Sequence, residues 1–319
     1  MMAKKKIDQI VALLQDVTMA FNEHDTSFAI GLDMAANEDN WGICLLLITP
    51  DLRQAKLVLL LPQAYLNKNG RRSATRICRP SFQILQSILQ SVFDSEISGS
   101  MGIDVPFGWP VEHGEFVGQW SATEGWQAGD PIPERQNFEK RLCDVKLNQY
   151  ESDITPFAVG ADTIAQAAYK WAACRHDLAA LAGEIHLGLT AANNNGLTTF
   201  ESYPGAFVQL AYPEFSNYKS QPEVRRELLE QLRQDYPIQL DGRTEGWLEW
   251  AIEQKGRSPD AFDALLCAIT AWAHRRWMRD QDGHPLTTPA RVFTAVDEQL
   301  PTELQEQRIH QEGWILIPG

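Results

Sequence analysis

The chain has 319 residues, a formal net charge of −14 at neutral pH and a hydrophobic content of 44%. This composition is typical of a globular protein with a sizeable core, and no apolar run reaches the roughly 20 residues that a membrane-spanning helix needs. Nucleic-acid affinity comes from Lys and Arg side chains that neutralise phosphates, so the acidic charge excludes general charge-driven DNA binding unless basic residues are gathered locally.

The five cysteines are widely scattered and mostly lie in apolar stretches. This pattern predicts reduced core thiols in a cytoplasmic protein and excludes a disulfide framework. Basic residues do gather in two places, and either cluster could face phosphates, although a solvated helix face produces the same pattern. The clusters are Lys68, Arg71, Arg72, Arg76 and Arg79, and Arg275, Arg276 and Arg279.

The chain begins with an amphipathic segment, which we predict to be an N-terminal helix at residues 1–26, outside a main domain at 27–319. Three apolar strands follow at 27–33, 41–49 and 55–61, and their short connections predict an antiparallel meander. The apolar spacing between 82 and 92 indicates a helix, and a fourth strand is expected at 101–106.

Residues 111–195 break this pattern, because a long loop rich in Gly, Trp and Pro is followed by helical segments. We interpret this region as a helical insertion that forms a lid or wall over the sheet edge. A strand at 197–204, helices at 222–235 and 244–254, and a long apolar helix that opens at Ser258-Pro259 complete the domain. The prediction is an α/β fold with a mixed five-stranded sheet, antiparallel in strands 1–3 and parallel thereafter, flanked by helices.

Acidic residues stand at the ends of these elements. Asp33 ends the first strand, Asp104 lies late in the fourth, and Glu201 lies near the end of the strand at 197–204. Asp260 and Asp263 lie three residues apart, on one face of the last long helix. Each acid has an ordinary alternative: a turn residue, a loop cap, a solvent-facing strand position or a helix N-terminal acid. Their joint occurrence in sheet order favours one shared cluster.

Such a cluster suits hard divalent cations, which prefer oxygen ligands. Two such ions about 4 Å apart can activate a water and stabilise the leaving oxygen of a phosphodiester. We predict two Mg²⁺ or Mn²⁺ ions, with Asp33 bridging both, and Asp104, Glu201 and Asp263 as further ligands. Asp260 completes the predicted catalytic set.

Six segments together resemble the domain-of-unknown-function 429 family, whose members are regarded as predicted nucleases of the RNase H-like fold. They are GLD at 31–33, GIDVPFGWP at 102–110, RLCD at 141–144, FESYP at 200–204, PDAFDAL at 259–265 and EGWILIP at 312–318. The resemblance implies an RNase H-like sheet and acidic roles for the five residues above. It also implies that Arg141 and Asp144 belong to a functional motif, although Cys143 stands where the family prefers Thr. The last helix is similar to the closing helix of RuvC-type Holliday-junction resolvases.

The leading hypothesis is therefore a two-metal nuclease that acts on nucleic acid, with Arg141, Asp144, Arg71, Arg72 and Arg76 as candidate substrate contacts. One alternative is a binding or regulatory module that keeps the fold without turnover. Another is a phosphotransferase of the related actin-like ATPase fold. That fold would need two glycine-rich phosphate loops, and the sequence contains neither.

Overall fold

The protein is represented by a computed structural model, which describes residues 27–35, 41–62, 85–90, 98–119, 139–150, 152–159, 162–182, 185–187, 197–254, 260–281, 308, 311–313 and 315–318. The predicted helix at 1–26 and the first basic cluster, including Arg71, Arg72 and Arg76, lie outside these residues. Among the described helices, none combines the length and apolar character that crossing a membrane requires.

The fold is α/β and is built on one mixed sheet. Its strands are β1 (Ser27–Asp33), β2 (Gly42–Ile48), β3 (Ala55–Pro62), β4 (Gly99–Asp104), β5 (Ile185–Leu187), β6 (Leu197–Ser202), β7 (Ile238–Gln239) and β8 (Ile315–Leu316). Seven of them lie in the order β5-β6-β4-β1-β2-β3-β7, and β8 pairs with β6.

The meander was predicted correctly, since β2 pairs antiparallel with both β1 and β3. The later strands add in parallel, with β4 beside β1 and β6 beside β4. The expected count of five strands was too low. The additional strands β5, β7 and β8 have only two or three residues, so they carry no measurable hydrophobic period.

Helices cover both faces of the sheet. They are α1 (Val111–Gln119), α2 (Leu142–Tyr150), α3 (Asp162–Ala182), α4 (Pro204–Ala211), α5 (Pro222–Asp235), α6 (Gly242–Glu253) and α7 (Asp260–Gln281). The described residues also include a 3₁₀ turn at Pro213–Phe215 and a helical segment at 85–90. β5 lies within the predicted insertion at 111–195, so part of that region extends the sheet.

The sheet separates two apolar layers. One layer contains α7 with the buried sides of α4, α5 and α6. The other contains α3 and the segment at 85–90, which cover Phe28, Ile30 and Leu32 of β1. Because both faces are covered, β1 and β2 are buried throughout, which explains why they read as continuous apolar runs. The four cysteines of the described residues are buried free thiols, as predicted.

The helix α7 lies unusually close to the sheet, because glycines remove the side chains that would separate them. A methyl group at Gly31 would lie 1.8 Å from the carbonyl oxygen of Ala264, and one at Gly42 would lie 2.0 Å from that of Asp260. Gly102 of β4, which pairs with Gly31, faces Cys267 in the same way. The register of α7 on the sheet is therefore set by contact between backbones.

We expect Gly31→Ala to destabilise the protein by at least about 2 kcal/mol, because the new methyl group would overlap the α7 backbone. Gly246→Ala in α6 is the matched control, since no atom lies within 4 Å of its new methyl group. Alanine there should be neutral or stabilising by up to about 1 kcal/mol. Urea unfolding measures both, and equal stability of the two variants would contradict the close packing.

Candidate functional site

The ends of β1 and β4 bring two carboxylates together. Asp33 and Asp104 are in-register partners on these adjacent parallel strands. Side chains two residues apart on a strand share a face, so both aspartates lie on the face of Gly31 and Gly102, against which α7 packs. The predicted meeting of Asp33 and Asp104 at one sheet edge is thus a consequence of strand register.

The N-terminus of α7 adds two more carboxylates. The backbone of Asp260 lies over Gly42, which is the in-register partner of Asp33 on β2. Asp263 follows less than one turn later and is buried, with 2% of its surface exposed. The positive end of the helix dipole favours negative charge at this position. The sheet and the helix together form a carboxylate cluster of Asp33, Asp104, Asp260 and Asp263.

The proximity of these groups changes their acidity. Burial raises the pKa of Asp33, and the charges of Asp104, Asp263 and Asp260 raise it further. Burial likewise raises the pKa of Asp104 to about 7, with Lys219 acting against the increase and Asp263 and Glu201 adding to it. Carboxylates held this close in a desolvated place need a proton or a cation to offset their repulsion.

Lys219 brings a positive charge to the carboxylate cluster, and no sequence pattern predicted it. Its Nζ lies 2.9 Å from Oδ2 of Asp263, and Tyr218 donates a hydrogen bond of 2.7 Å to Oδ1 of the same carboxylate. Burial alone would lower the pKa of Lys219, but Asp263, Asp104 and Asp33 together raise it. The dipeptide lies between a short 3₁₀ turn and α5, so neither periodicity nor a motif singled it out.

Arg225 of α5 holds this dipeptide in place. Its buried guanidinium donates to the carbonyl oxygens of Tyr218 at 2.8 Å and Lys219 at 3.1 Å. The remaining N–H groups bond the carbonyl oxygens of Ile252 and Gln254 at the C-terminal end of α6. One side chain therefore satisfies the free carbonyls of a helix end and fixes the backbone from which Lys219 projects.

Glu201 belongs to a second polar network, centred on Arg141. Nη2 of Arg141 lies 2.6 Å from Oε1 of Glu201, and Nη1 binds Oε2. Asp144 accepts from Nε and Nη2 at 3.0 and 2.9 Å, and the carbonyl oxygen of Glu312 accepts from Nη1 at 3.1 Å. All five N–H donors of Arg141 are thus used within the protein.

This network differs from the roles predicted for Arg141 and Asp144 as substrate contacts and for Glu201 as a metal ligand. Arg141 is 2% exposed and fully bonded, so it has no donor left for the predicted substrate contact, and Asp144 is its partner. Phe200 faces Gly102 and α7, so strand alternation directs the next residue, Glu201, away from the face that carries Asp104. The oxygens of Glu201 accept from Arg141 and from the Phe107 amide, and its charge still reaches Asp104.

The C-terminal motif joins the same network. Glu312 accepts hydrogen bonds from the backbone amides of Val111 at 3.0 Å and Leu142 at 2.7 Å. These amides open α1 and α2, so one carboxylate caps two helices whose first N–H groups have no partner within the helix. β8 follows directly and pairs with β6 at Glu201 and Ser202. This pairing brings the C-terminal segment against the strand that carries Glu201.

The second basic cluster lies far from the carboxylates. Arg275 follows Asp263 by twelve residues, which is about 18 Å along the axis of α7. Arg275 donates to Ser98, and Arg276 stacks over Trp272 and donates to the carbonyl oxygen of Leu52. These two arginines support the packing of the helix against the sheet.

The chemistry of the cluster fits a hard divalent cation, because its ligand atoms are all carboxylate oxygens. As the side chains stand, however, no three acids, histidines or cysteines among the described residues are arranged to hold a metal ion together. Lys219 and Tyr218 contact the two oxygens of Asp263. A metal ion bound to Asp263 would share this carboxylate with the Lys219 ammonium, and the two positive charges would repel each other.

Fold and site define an α/β protein with a buried carboxylate cluster where adjacent parallel strands end beneath a helix N-terminus. The chain belongs to the DUF429 family, a family of proteins of unknown function, whose sequence pattern it matches over residues 71–291. The match includes every candidate acid except Asp33, which precedes it. No curated protein and no solved structure matches the chain in the corresponding searches.

We expect the metal-free protein to lose stability as the pH rises from about 4 to about 7. The pKa of Asp104 is about 7 in the folded protein, against an ordinary value of 3.8, so the folded state binds more protons in this range. Urea midpoints in EDTA should fall with rising pH, and Asp104→Asn should reduce this slope. Glu230→Gln on the exposed face of α5 is the control, and an unchanged slope in Asp104→Asn would refute the assignment.

Arg141→Met should cost about 3–5 kcal/mol, because it leaves the buried Glu201 and Asp144 carboxylates without their cation. Arg226→Met, which breaks the surface pairs with Glu249 and Glu253, should leave the unfolding midpoint unchanged. Chemical denaturation compares the two variants at the same pH. A loss for Arg141→Met no larger than that of the control would show that the network contributes little.

Proposed function

We propose that this protein hydrolyses phosphodiester bonds in nucleic acid with the help of divalent cations. The observation that carries the proposal is the in-register pair of Asp33 and Asp104 beneath Asp263 at the start of α7. Four carboxylates gathered with one ammonium leave an excess of negative charge, which would repel a phosphate diester. Divalent cations remove that repulsion and can bridge carboxylates to phosphate oxygens.

Bound Mg²⁺ or Mn²⁺ would supply an activated water and stabilisation of the leaving oxygen. Asp33 and Asp104 would hold the ions from the sheet, and Asp263 would hold them from the helix. Tyr218 orients Asp263 through its hydrogen bond, and Asp260 adds negative charge beside Asp33. Glu201, on the neighbouring strand, would have two roles. It pairs with Arg141, and its negative charge raises the pKa of Asp104.

The order and direction of the central strands support an RNase H-like fold, which we propose for this domain. β3, β2 and β1 are successive antiparallel strands, and β4 and β6 continue the sheet in parallel. This agrees with the fold expected from the resemblance of the sequence motifs.

A partly exposed aromatic residue beside the cluster supports nucleic acid as the substrate class. A methyl group at Gly205 would lie 3.4 Å from the Tyr203 ring and 3.9 Å from the side chain of Lys219, so Tyr203 and Lys219 are neighbours. Burial and the charge of Asp104 raise the pKa of Tyr203, which places the phenol near the carboxylates. Aromatic rings next to cationic groups are common platforms for unpaired bases.

A second candidate function is a binding module without turnover. The ion pair of Lys219 with Asp263 favours it, since a lysine that permanently neutralises the acids would make a metal ion unnecessary. The two candidate functions differ in whether the purified protein cleaves nucleic acid when divalent cations are present.

The purified 319-residue protein should cleave at least one of four substrates in Mn²⁺ or Mg²⁺. They are a branched DNA junction, an RNA–DNA hybrid, single-stranded RNA and duplex DNA. Asp33→Asn and Asp104→Asn should each lower the rate by at least about 100-fold, more than outer-shell changes at metal sites usually cost. Glu230→Gln should keep the wild-type rate. Cleavage that survives EDTA or Asp33→Asn would exclude this mechanism, and no cleavage of any substrate would favour the binding module.

A further inference from the structure

Lys219 occupies the place in the carboxylate cluster where a bound cation would be expected. Its ammonium lies 2.9 Å from Asp263, and its charge lowers the pKa of both Asp33 and Asp104. A single positive charge thus partly offsets the negative charge of acids from two strands and one helix. Without it, the three carboxylates would repel one another in a desolvated setting.

The backbone of Lys219 is held firmly, whereas its side chain is partly exposed to solvent. Arg225 fixes its backbone carbonyl, and the preceding Tyr218 is 1% exposed. In contrast, 39% of the Lys219 side-chain surface is exposed, against 3% for its partner Asp263. A lysine ammonium on a flexible four-carbon stem can therefore move between the cluster and solvent without a change in the backbone.

A divalent cation and this ammonium repel each other strongly at the distance of a shared carboxylate, so the presence of one weakens binding of the other. Each oxygen of Asp263 has one partner, the ammonium on Oδ2 and the tyrosine hydroxyl on Oδ1. Of the two, only the ammonium carries a charge that opposes an incoming cation. The half-exposed lysine is the partner that can leave for water at lower cost, because the Tyr218 hydroxyl is buried.

We propose that Lys219 is an exchangeable counter-ion. In the metal-free protein its ammonium holds the carboxylates together, and it moves toward solvent when a divalent cation binds. The proposal rests on the cation site of the proposed function and adds to it a residue that competes with the metal. Lys219 is thus a positioning residue whose charge sets the cation concentration at which the site fills.

Lys219→Met keeps the stem and removes the charge, so Mn²⁺ no longer has to displace an ammonium. We expect isothermal titration calorimetry to show at least about tenfold tighter Mn²⁺ binding than in the wild type. Arg226→Met is the matched control, because it removes the same charge at an exposure of 40%, away from the cluster. Its Mn²⁺ affinity should match that of the wild type.

The two possible failures are distinguishable. If the wild type binds Mn²⁺ and Lys219→Met binds it with equal or lower affinity, the proposed role of Lys219 is wrong, and the cation site stands. Absence of Mn²⁺ binding in the wild type, in Lys219→Met and in Arg226→Met would overturn both the cation site and the exchange.

A measurement on the wild type tests the same exchange if Lys219→Met fails to fold. An amine-reactive ester followed by mass spectrometry reports the accessibility of each lysine. On addition of Mn²⁺ the modification rate of Lys219 should rise several-fold, while that of Lys56, which is exposed on β3, should stay constant. A Lys219 rate that is unchanged or lower with Mn²⁺ would overturn the proposal.

Discussion

The contact between the α7 backbone and the glycines of β1, β2 and β4 is the constraint on which the rest of the structure depends. Gly31 and Gly42 let the carbonyl oxygens of Ala264 and Asp260 approach the strands to a distance that any side chain would prevent. This approach fixes the height and register of the helix, and so places Asp263 above the strand ends that carry Asp33 and Asp104. The carboxylate cluster is a consequence of backbone packing.

The two buried charge networks differ in how fully their groups are paired. Around Arg141 every N–H donor has a partner, and the Glu312 carboxylate caps two helices, so this network ties the C-terminal strand to the sheet. Around Lys219 one ammonium lies among several carboxylates, on a side chain that is partly exposed. Buried networks of the first kind hold a structure together, whereas an excess of one charge costs stability and is common where ligands bind.

Much of the fold was predictable because each central strand is buried on both faces, and such strands form continuous apolar runs bounded by turn residues. These apolar runs, with the short or helical connections between them, predicted the meander and the strand β4. A longer apolar run after Ser258-Pro259 predicted the helix at 260–281. The short strands β5, β7 and β8 did not, because two or three residues carry no period and depend on the neighbours that pair with them.

By itself, the sequence determined that Asp33 and Asp104 lie at the ends of apolar strands and that Asp260 and Asp263 open a buried helix, since these positions depend on local periodicity and capping. Tertiary structure alone decided which acids share a partner. Glu201 pairs with Arg141 across 60 residues and Asp263 with Tyr218 across 45. Such pairing depends on strand alternation, side-chain reach and the arrival of distant segments, and it separated Glu201 from the cluster and brought Lys219 into it.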